Sequence, residues 1–209
     1  MSGPRRYSVV VAKDYLKFAA AHFIAYPGFR EPLHGHNYQV SVRIEADLGP
    51  DGYVLDFGLV KRIAKALCEE LDERVLVPEA SDCLLVTRLA DAVELTTESG
   101  DRFRFPLADV RLLPIAHSSA EELAAYLLGR LRDALRSEAG GRGLAALEVG
   151  VAESPGQAAY CRKAVRAVSS GSSCSPWVAA PRSPIPRAPA LACCATAAEA
   201  ATGSTRRGR

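Results

Sequence analysis

Several features common in other protein classes are scarce or missing here. No apolar run reaches the length needed to span a membrane. The first residues, Met1 to Arg6, run straight into an alternating strand-like pattern without an apolar leader core, so a cytoplasmic protein is expected. Six Cys are present, yet no two are spaced C-x-x-C, which argues against a thiolate zinc knuckle or a thioredoxin-like centre. Three of them, Cys174, Cys193 and Cys194, fall in the C-terminal tail; Cys68, Cys83 and Cys161 read as buried or idle thiols of a reducing compartment. A surplus of one charge is also lacking. The formal net charge of the 209 residues is +2, and it gives no reason to expect nucleic acid or an acidic surface as a partner. From Ser169 onward there are five Arg and one Glu, a surplus of +4, so residues 1–168 carry −2.

What is present divides the chain in two. Residues 1–168 hold the periodic apolar patterns. Residues 169–209 are rich in Ser, Pro, Ala and Arg, lose hydrophobic periodicity, and are expected to be a disordered tail that buries too little apolar surface to offset its ordering entropy. In the first part, Tyr7 to Phe18 reads as a strand. From His36 to Ala46 the side chains alternate, with His36, Tyr38, Val40, Val42 and Ile44 on the face predicted to be buried. Asp56 is the expected N-cap of a helix whose apolar stripe is Val60, Ile63, Ala64, Leu67 and Leu71. Residues 83–106 resemble a β-hairpin that turns at Ser99-Gly100-Asp101. Ser118 with Glu121, and Ser119 with Glu122, each fit the capping box of a second helix carrying Leu123, Leu127, Leu131 and Leu135, which Gly140-Gly141 ends. Leu144 to Ala152 and Ala158 to Val165 are strands joined by the turn Ser154-Pro155-Gly156-Gln157. This order predicts an α+β layer with helices on one face of an antiparallel sheet.

Only four His occur, and three lie close together in sequence: His22, His34 and His36. Residues i and i+2 of a strand point to one face, so His34 and His36 can address one metal ion. An antiparallel neighbour ending in His22 can bring a third imidazole to it. Three neutral imidazoles with an open fourth position suit catalytic zinc, although nitrogen-only ligation leaves iron and copper open. A His-x-His pair alone is commonplace in strands; the longer context gives it weight.

That context is Phe18-Ala19-Ala20-Ala21-His22-Phe23 followed by Leu33-His34-Gly35-His36-Asn37-Tyr38. It resembles the 6-pyruvoyltetrahydropterin and 6-carboxytetrahydropterin synthase family, whose members bind zinc through the corresponding histidines. Val54-Leu55-Asp56-Phe57, Leu71-Asp72, Ser119-Ala120-Glu121-Glu122-Leu123-Ala124, Val151-Ala152-Glu153-Ser154 and Ala159-Tyr160 extend the resemblance in the same order over most of 7–165. Residues 83–106 look like an insertion relative to the shortest members. The resemblance implies a T-fold, with a four-stranded antiparallel sheet and two helices on one face. It also implies a homo-oligomeric ring, often a hexamer, with the active site between subunits and no nucleic-acid or membrane partner. The expected substrate is 7,8-dihydroneopterin triphosphate, in tetrahydrobiopterin or queuosine synthesis. Glu153 would anchor the pterin ring through two N–H donors, with Glu121 assisting or serving only as a cap residue.

The sequence departs from the family at its acid–base residues. Gly28 to Leu33 contains no Cys before His34-Gly35-His36, and Glu73 rather than His follows Leu71-Asp72. Three readings follow. Glu31 replaces the Cys, with Asp72 and Glu73 as a relay, in a synthase reaction. Alternatively, Glu31 serves an aldolase-like cleavage of a dihydroneopterin side chain. In the third reading the chain is a non-catalytic zinc- or pterin-binding ring. A carboxylate serves as base where burial raises its pKa, and His117 is a further imidazole that could be drawn in.

Overall fold

The alternation seen in the sequence becomes the central strands of the fold. A computed structural model describes residues 6–138 and 144–165. Strand β1 (Tyr7–His22) runs antiparallel to a strand that begins at His34. Between them lie the two-residue strands β2 (Ala25–Tyr26) and β3 (Phe29–Arg30), and the long partner is β4 (His34–Ala46). Helix α1 (Phe57–Glu69) begins as expected: the Asp56 carboxylate accepts from the Gly58 N–H at 2.8 Å. Then come β5 (Arg74–Pro78), β6 (Leu84–Arg88), β7 (Ala92–Thr97), β8 (Arg102–Pro106), a 3-10 turn at Leu107–Asp109 and β9 (Val110–Leu113). Helix α2 (Ala120–Glu138), β10 (Leu144–Ser154) and β11 (Gln157–Ala164) complete the described chain. Gly140-Gly141 and the 169–209 tail lie outside the described residues.

The sheet corrects the expectation of four antiparallel strands. It has six, in the order β11-β10-β4-β1-β5-β9. The first four form the expected antiparallel set, while β5 joins β1 in parallel through Ala20↔Arg74 and Ala21↔Val75, and β9 joins β5 in parallel. Both added strands are short apolar runs of five and four residues, too brief for periodicity to mark them. The expected hairpin at 83–106 is also larger than foreseen. β7 and β8 form it, with Gly100 at φ 87°, and β6 adds a third strand. This small sheet has its own apolar cluster, in which Phe23 and Ala25 meet Val77, Leu84, Val93 and Leu95.

A bulge in β1 sets the site. Ala12 lies opposite Ser41, but Lys17 lies opposite Gln39, so six residues of β1 span three of β4. The Gln39 side-chain amide fills the gap by donating to the carbonyls of Lys13 (2.7 Å) and Leu16 (3.1 Å). The extra residues reverse the phase of the strand. Before the bulge Val9 and Val11 turn inward; after it Leu16, Phe18, Ala20 and His22 do. Without that reversal His22 would face away from the core.

Both helices bury their expected stripes: Val60, Ile63, Ala64 and Leu67 on α1, and Leu123, Leu127, Leu131 and Leu135 on α2. They join Phe18, Tyr38, Val42 and Ile44 in one core. Leu131 is 1% exposed. Leu131→Ala is expected to cost about 2–5 kcal/mol by loss of burial and cavity formation, read as a lower urea midpoint at fixed protein concentration with the m-value unchanged.

Candidate metal and pterin site

Three imidazoles meet where β1 ends and β4 begins. His22 is paired with His34, and Ala20 with His36. The ring centroids are 4.7 Å apart for His22–His34, 5.3 Å for His22–His36 and 4.9 Å for His34–His36. One nitrogen from each ring lies within 4.8 Å of the other two, so the trio could hold a metal ion.

Hydrogen bonds define which nitrogens face inward. A carbonyl only accepts, so His22 Nδ1–H donates to the Ser118 carbonyl at 2.8 Å, and His34 Nδ1–H donates to the Pro32 carbonyl at 2.9 Å. Each bond leaves Nε2 with its lone pair, the arrangement of a metal-ligating imidazole whose other nitrogen is tied to a carbonyl. His22 Nε2 is buried and has no partner among the described residues. Burial, with the neighbouring His34 adding to it, lowers the His22 pKa to about 4 despite the bond to Ser118. His22 is therefore neutral at pH 7, as a ligand must be. A buried, neutral, unpartnered nitrogen facing two other imidazoles fits a nitrogen-ligated metal ion.

Ser118 has a different role from the one its spacing suggested. Its hydroxyl donates to the Phe23 carbonyl at 3.0 Å and lies 3.3 Å from His22 Nδ1. The cap of α2 belongs to Ser119, whose hydroxyl accepts from the Glu122 N–H at 3.4 Å. The Glu122 carboxylate turns back to accept from Ala116 N–H at 2.8 Å.

Glu31 is half-buried beside this trio. Its carboxylate accepts from the Ile24 N–H at 3.0 Å while its own N–H donates to the Ile24 carbonyl at 3.0 Å. Its charge favours protonation of both His22 and the Tyr38 phenol. Glu121 and Glu153 line one cleft with Ile24, Ser119, Gln157 and Ala158. Asp72 and Glu73 occupy the turn after α1. The Asp72 carboxylate accepts from Ala19 N–H and Glu73 N–H donates to the Ala19 carbonyl, both at 2.7 Å. Glu73 holds a left-handed φ of 55°, uncommon for a residue with a side chain, and borders a second cleft with Gly35, His36 and Arg74. His117 stands outside the imidazole trio; its Nδ1 is buried and has no partner among the described residues.

Sequence reasoning treated Tyr38 only as core. Its ring stacks on Phe18 at 4.6 Å and meets the edges of His22 and His36 at 5.9 and 5.5 Å. Its hydroxyl is buried without a partner among the described residues. Burial pushes the phenol far above its ordinary pKa, and the charges of Glu153 and Glu31 add to that. It is thus a neutral O–H donor within electrostatic reach of both carboxylates. The signal was available, since the alternation puts Tyr38 on the face of His34 and His36.

The α+β layer thus carries a three-imidazole pocket at the ends of its central strands and a cleft lined by Glu121 and Glu153. The model of 6-pyruvoyl tetrahydropterin synthase matches residues 11–164, and the chain belongs to that family. A protein of Methanocaldococcus jannaschii assigned as a 6-carboxy-5,6,7,8-tetrahydropterin synthase is 32% identical over 153 residues, covering 71% of this chain and 90% of that protein. The crystal structure of 6-pyruvoyl tetrahydropterin synthase from Plasmodium vivax superposes with a TM-score of 0.74 at 36% identity, covering 77% of this chain and 99% of that one. A variant of the same Plasmodium enzyme, with a glutamate named as a catalytic residue changed to alanine, superposes equally well. The dihydroneopterin monophosphate aldolase of Pyrococcus furiosus is 37% identical over 59 residues, covering 28% of this chain and 50% of that protein.

Proposed function

We propose that the chain is a zinc-dependent pterin lyase acting on 7,8-dihydroneopterin triphosphate, with Glu31 as the group that moves protons. The observation that carries this is the buried, unpartnered Nε2 of His22 facing His34 and His36, with the Glu31 carboxylate fixed beside them by Ile24 N–H. His22, His34 and His36 would hold zinc, which supplies Lewis acidity toward side-chain oxygens and so acidifies the neighbouring C–H bonds.

The chain's own groups supply the rest. The Glu153 carboxylate accepts two N–H donors from the pterin ring, with Glu121 in the same cleft to assist. Glu31 removes protons from the side-chain carbons, and two protons are delivered to the ring, one to the carbon and one to the nitrogen of its C=N bond. The ring is thereby reduced and the side chain oxidised, and triphosphate leaves with its bonding electron pair. No nicotinamide or flavin is needed. Asp72 and Glu73 complete the relay within a homo-oligomeric ring of the T-fold type, hexameric by the same reading. That a catalytic glutamate is named in the Plasmodium vivax enzyme supports a carboxylate in this role.

A second reading is favoured by the likeness to the Pyrococcus aldolase and by the absence of Cys between Gly28 and Leu33. There Glu31 takes the proton of the second side-chain hydroxyl and the bond between the first two side-chain carbons breaks. The freed electron pair passes into the ring system and is protonated.

Mass spectrometry of the products formed by zinc-loaded protein from 7,8-dihydroneopterin triphosphate separates the readings. A 6-pyruvoyl or 6-carboxy tetrahydropterin is the expected product. A 6-hydroxymethyl dihydropterin establishes side-chain cleavage instead. Unchanged substrate with zinc bound sinks both and leaves a binding protein.

A further inference from the structure

Resting on the assignment of Glu31 as the proton-moving group, we infer that the small β6–β8 sheet is a positioning module for that carboxylate, acting through an Arg30–Asp101 clamp. Glu31 follows directly on β3, the second arm of a hairpin only two residues long on each side. Such a hairpin has too few backbone bonds to hold its shape alone in water. Its placement must come from elsewhere, and the small sheet supplies it.

The Arg30 side chain is gripped at every nitrogen. Nε and one terminal nitrogen both donate to the same Asp101 oxygen, at 3.1 and 3.0 Å, and the other terminal nitrogen donates to the Glu31 carbonyl at 2.9 Å. The guanidinium carbon lies 5.8 Å from the centre of the Phe23 ring and 5.3 Å from that of Phe103, and these two rings stack on each other at 5.1 Å. Asp101 is itself fixed: its carboxylate accepts from the Ser99 hydroxyl at 3.0 Å and its N–H donates to Thr97 Oγ1 at 3.1 Å. At the hairpin's tip, Gly28 N–H donates to the Glu98 carboxylate at 3.1 Å. Glu98, Ser99 and Asp101 all belong to the β7–β8 connection. One turn of the small sheet therefore holds the hairpin at its tip and at the residue before Glu31.

Exposed ion pairs contribute little to stability, and Asp101 is half exposed. The clamp's effect is geometric. A carboxylate that must meet a C–H proton loses rate steeply with displacement, and about 1 Å can cost 100-fold. Fixing both faces of residue 31, its carbonyl by Arg30 and its carboxylate by Ile24 N–H, restricts the carboxylate to one orientation.

The test compares Asp101→Asn in the wild-type and Glu31→Ala backgrounds. It follows kcat, KM, bound zinc, melting temperature and hydrogen exchange of the 23–31 segment in the full chain. The inference expects faster exchange across 23–31, a kcat about 10–100-fold lower, and unchanged KM and zinc content, with no further loss when Glu31 is already Ala. Arg30→Gln should reproduce this pattern. Unchanged exchange and unchanged kcat overturn the inference. Faster exchange with full activity does so too, since the sheet would then stiffen the hairpin without placing the carboxylate. An equal loss of kcat in the Glu31→Ala background overturns it as well, because the clamp would be acting elsewhere. If Glu31→Ala itself keeps full activity, the assignment of Glu31 fails, and the exchange measurement still decides whether Asp101 holds the hairpin.

Discussion

Glu31→Ala is expected to lower kcat by about 100- to 10,000-fold, the span that a positioned acid–base group contributes. KM and bound zinc should stay close to wild type. The Glu31 carboxylate accepts from Ile24 N–H and lies outside the group His22, His34 and His36 that could hold a metal ion, so its removal leaves those imidazoles in place. Glu31→Gln separates charge from shape. The amide can still accept from Ile24 N–H but cannot take a proton at neutral pH, so it should fall to the same level as Ala. Steady-state rates with zinc content measured on the same samples check this. A kcat within threefold of wild type would remove Glu31 from the mechanism.

The second large effect is expected at His22. His22→Ala should reduce bound zinc from stoichiometric to a trace, and activity with it, because two imidazoles hold zinc far more weakly than three. A stability loss should accompany this. The substitution strands the Ser118 carbonyl, which is buried and accepts from His22, and a buried acceptor left unsatisfied costs about 1–3 kcal/mol. His36→Ala should lose zinc as fully but lose less stability, since His36 is only partly buried. Metal analysis by plasma mass spectrometry and thermal melts of the same preparations compare the two. Retention of stoichiometric zinc by either variant would refute the three-imidazole assignment.

Parts of this were legible before any coordinates because they follow from short-range periodicity. The alternation from His36 to Ile44 fixed the inward face of β4, and four-residue spacing fixed the stripes of α1 and α2. Other features depend on distant residues and carry no local signature. The bulge in β1 relies on a side chain of β4, Gln39, and nothing in Lys13-Asp14-Tyr15 announces it. The Ser118 hydroxyl was assigned to a helix cap because the spacing to Glu121 fits one; the competing attraction of the Phe23 carbonyl, 95 positions away, is invisible in sequence. β5 and β9 are five and four residues long and pair in parallel, so their partners are never sequence neighbours. Within the site, the three histidines were readable as a set. The joining of Glu31 to Ile24 and the closeness of Tyr38 to the imidazoles needed the register of the β1–β4 pairing.

That register also has a temporal meaning. All three imidazoles lie on β1 and β4, within the first 46 residues, and their pairing closes only a short connection. Glu153 arrives on β10, whose Glu148 meets Arg43 of β4 across a sequence separation of 105. Closing a loop of that length costs more chain entropy than closing the β1–β4 turn. In vectorial synthesis the three imidazoles can therefore come together while Glu153, the proposed ring anchor, is still untranslated, so the proposed metal site is assembled before the proposed substrate site.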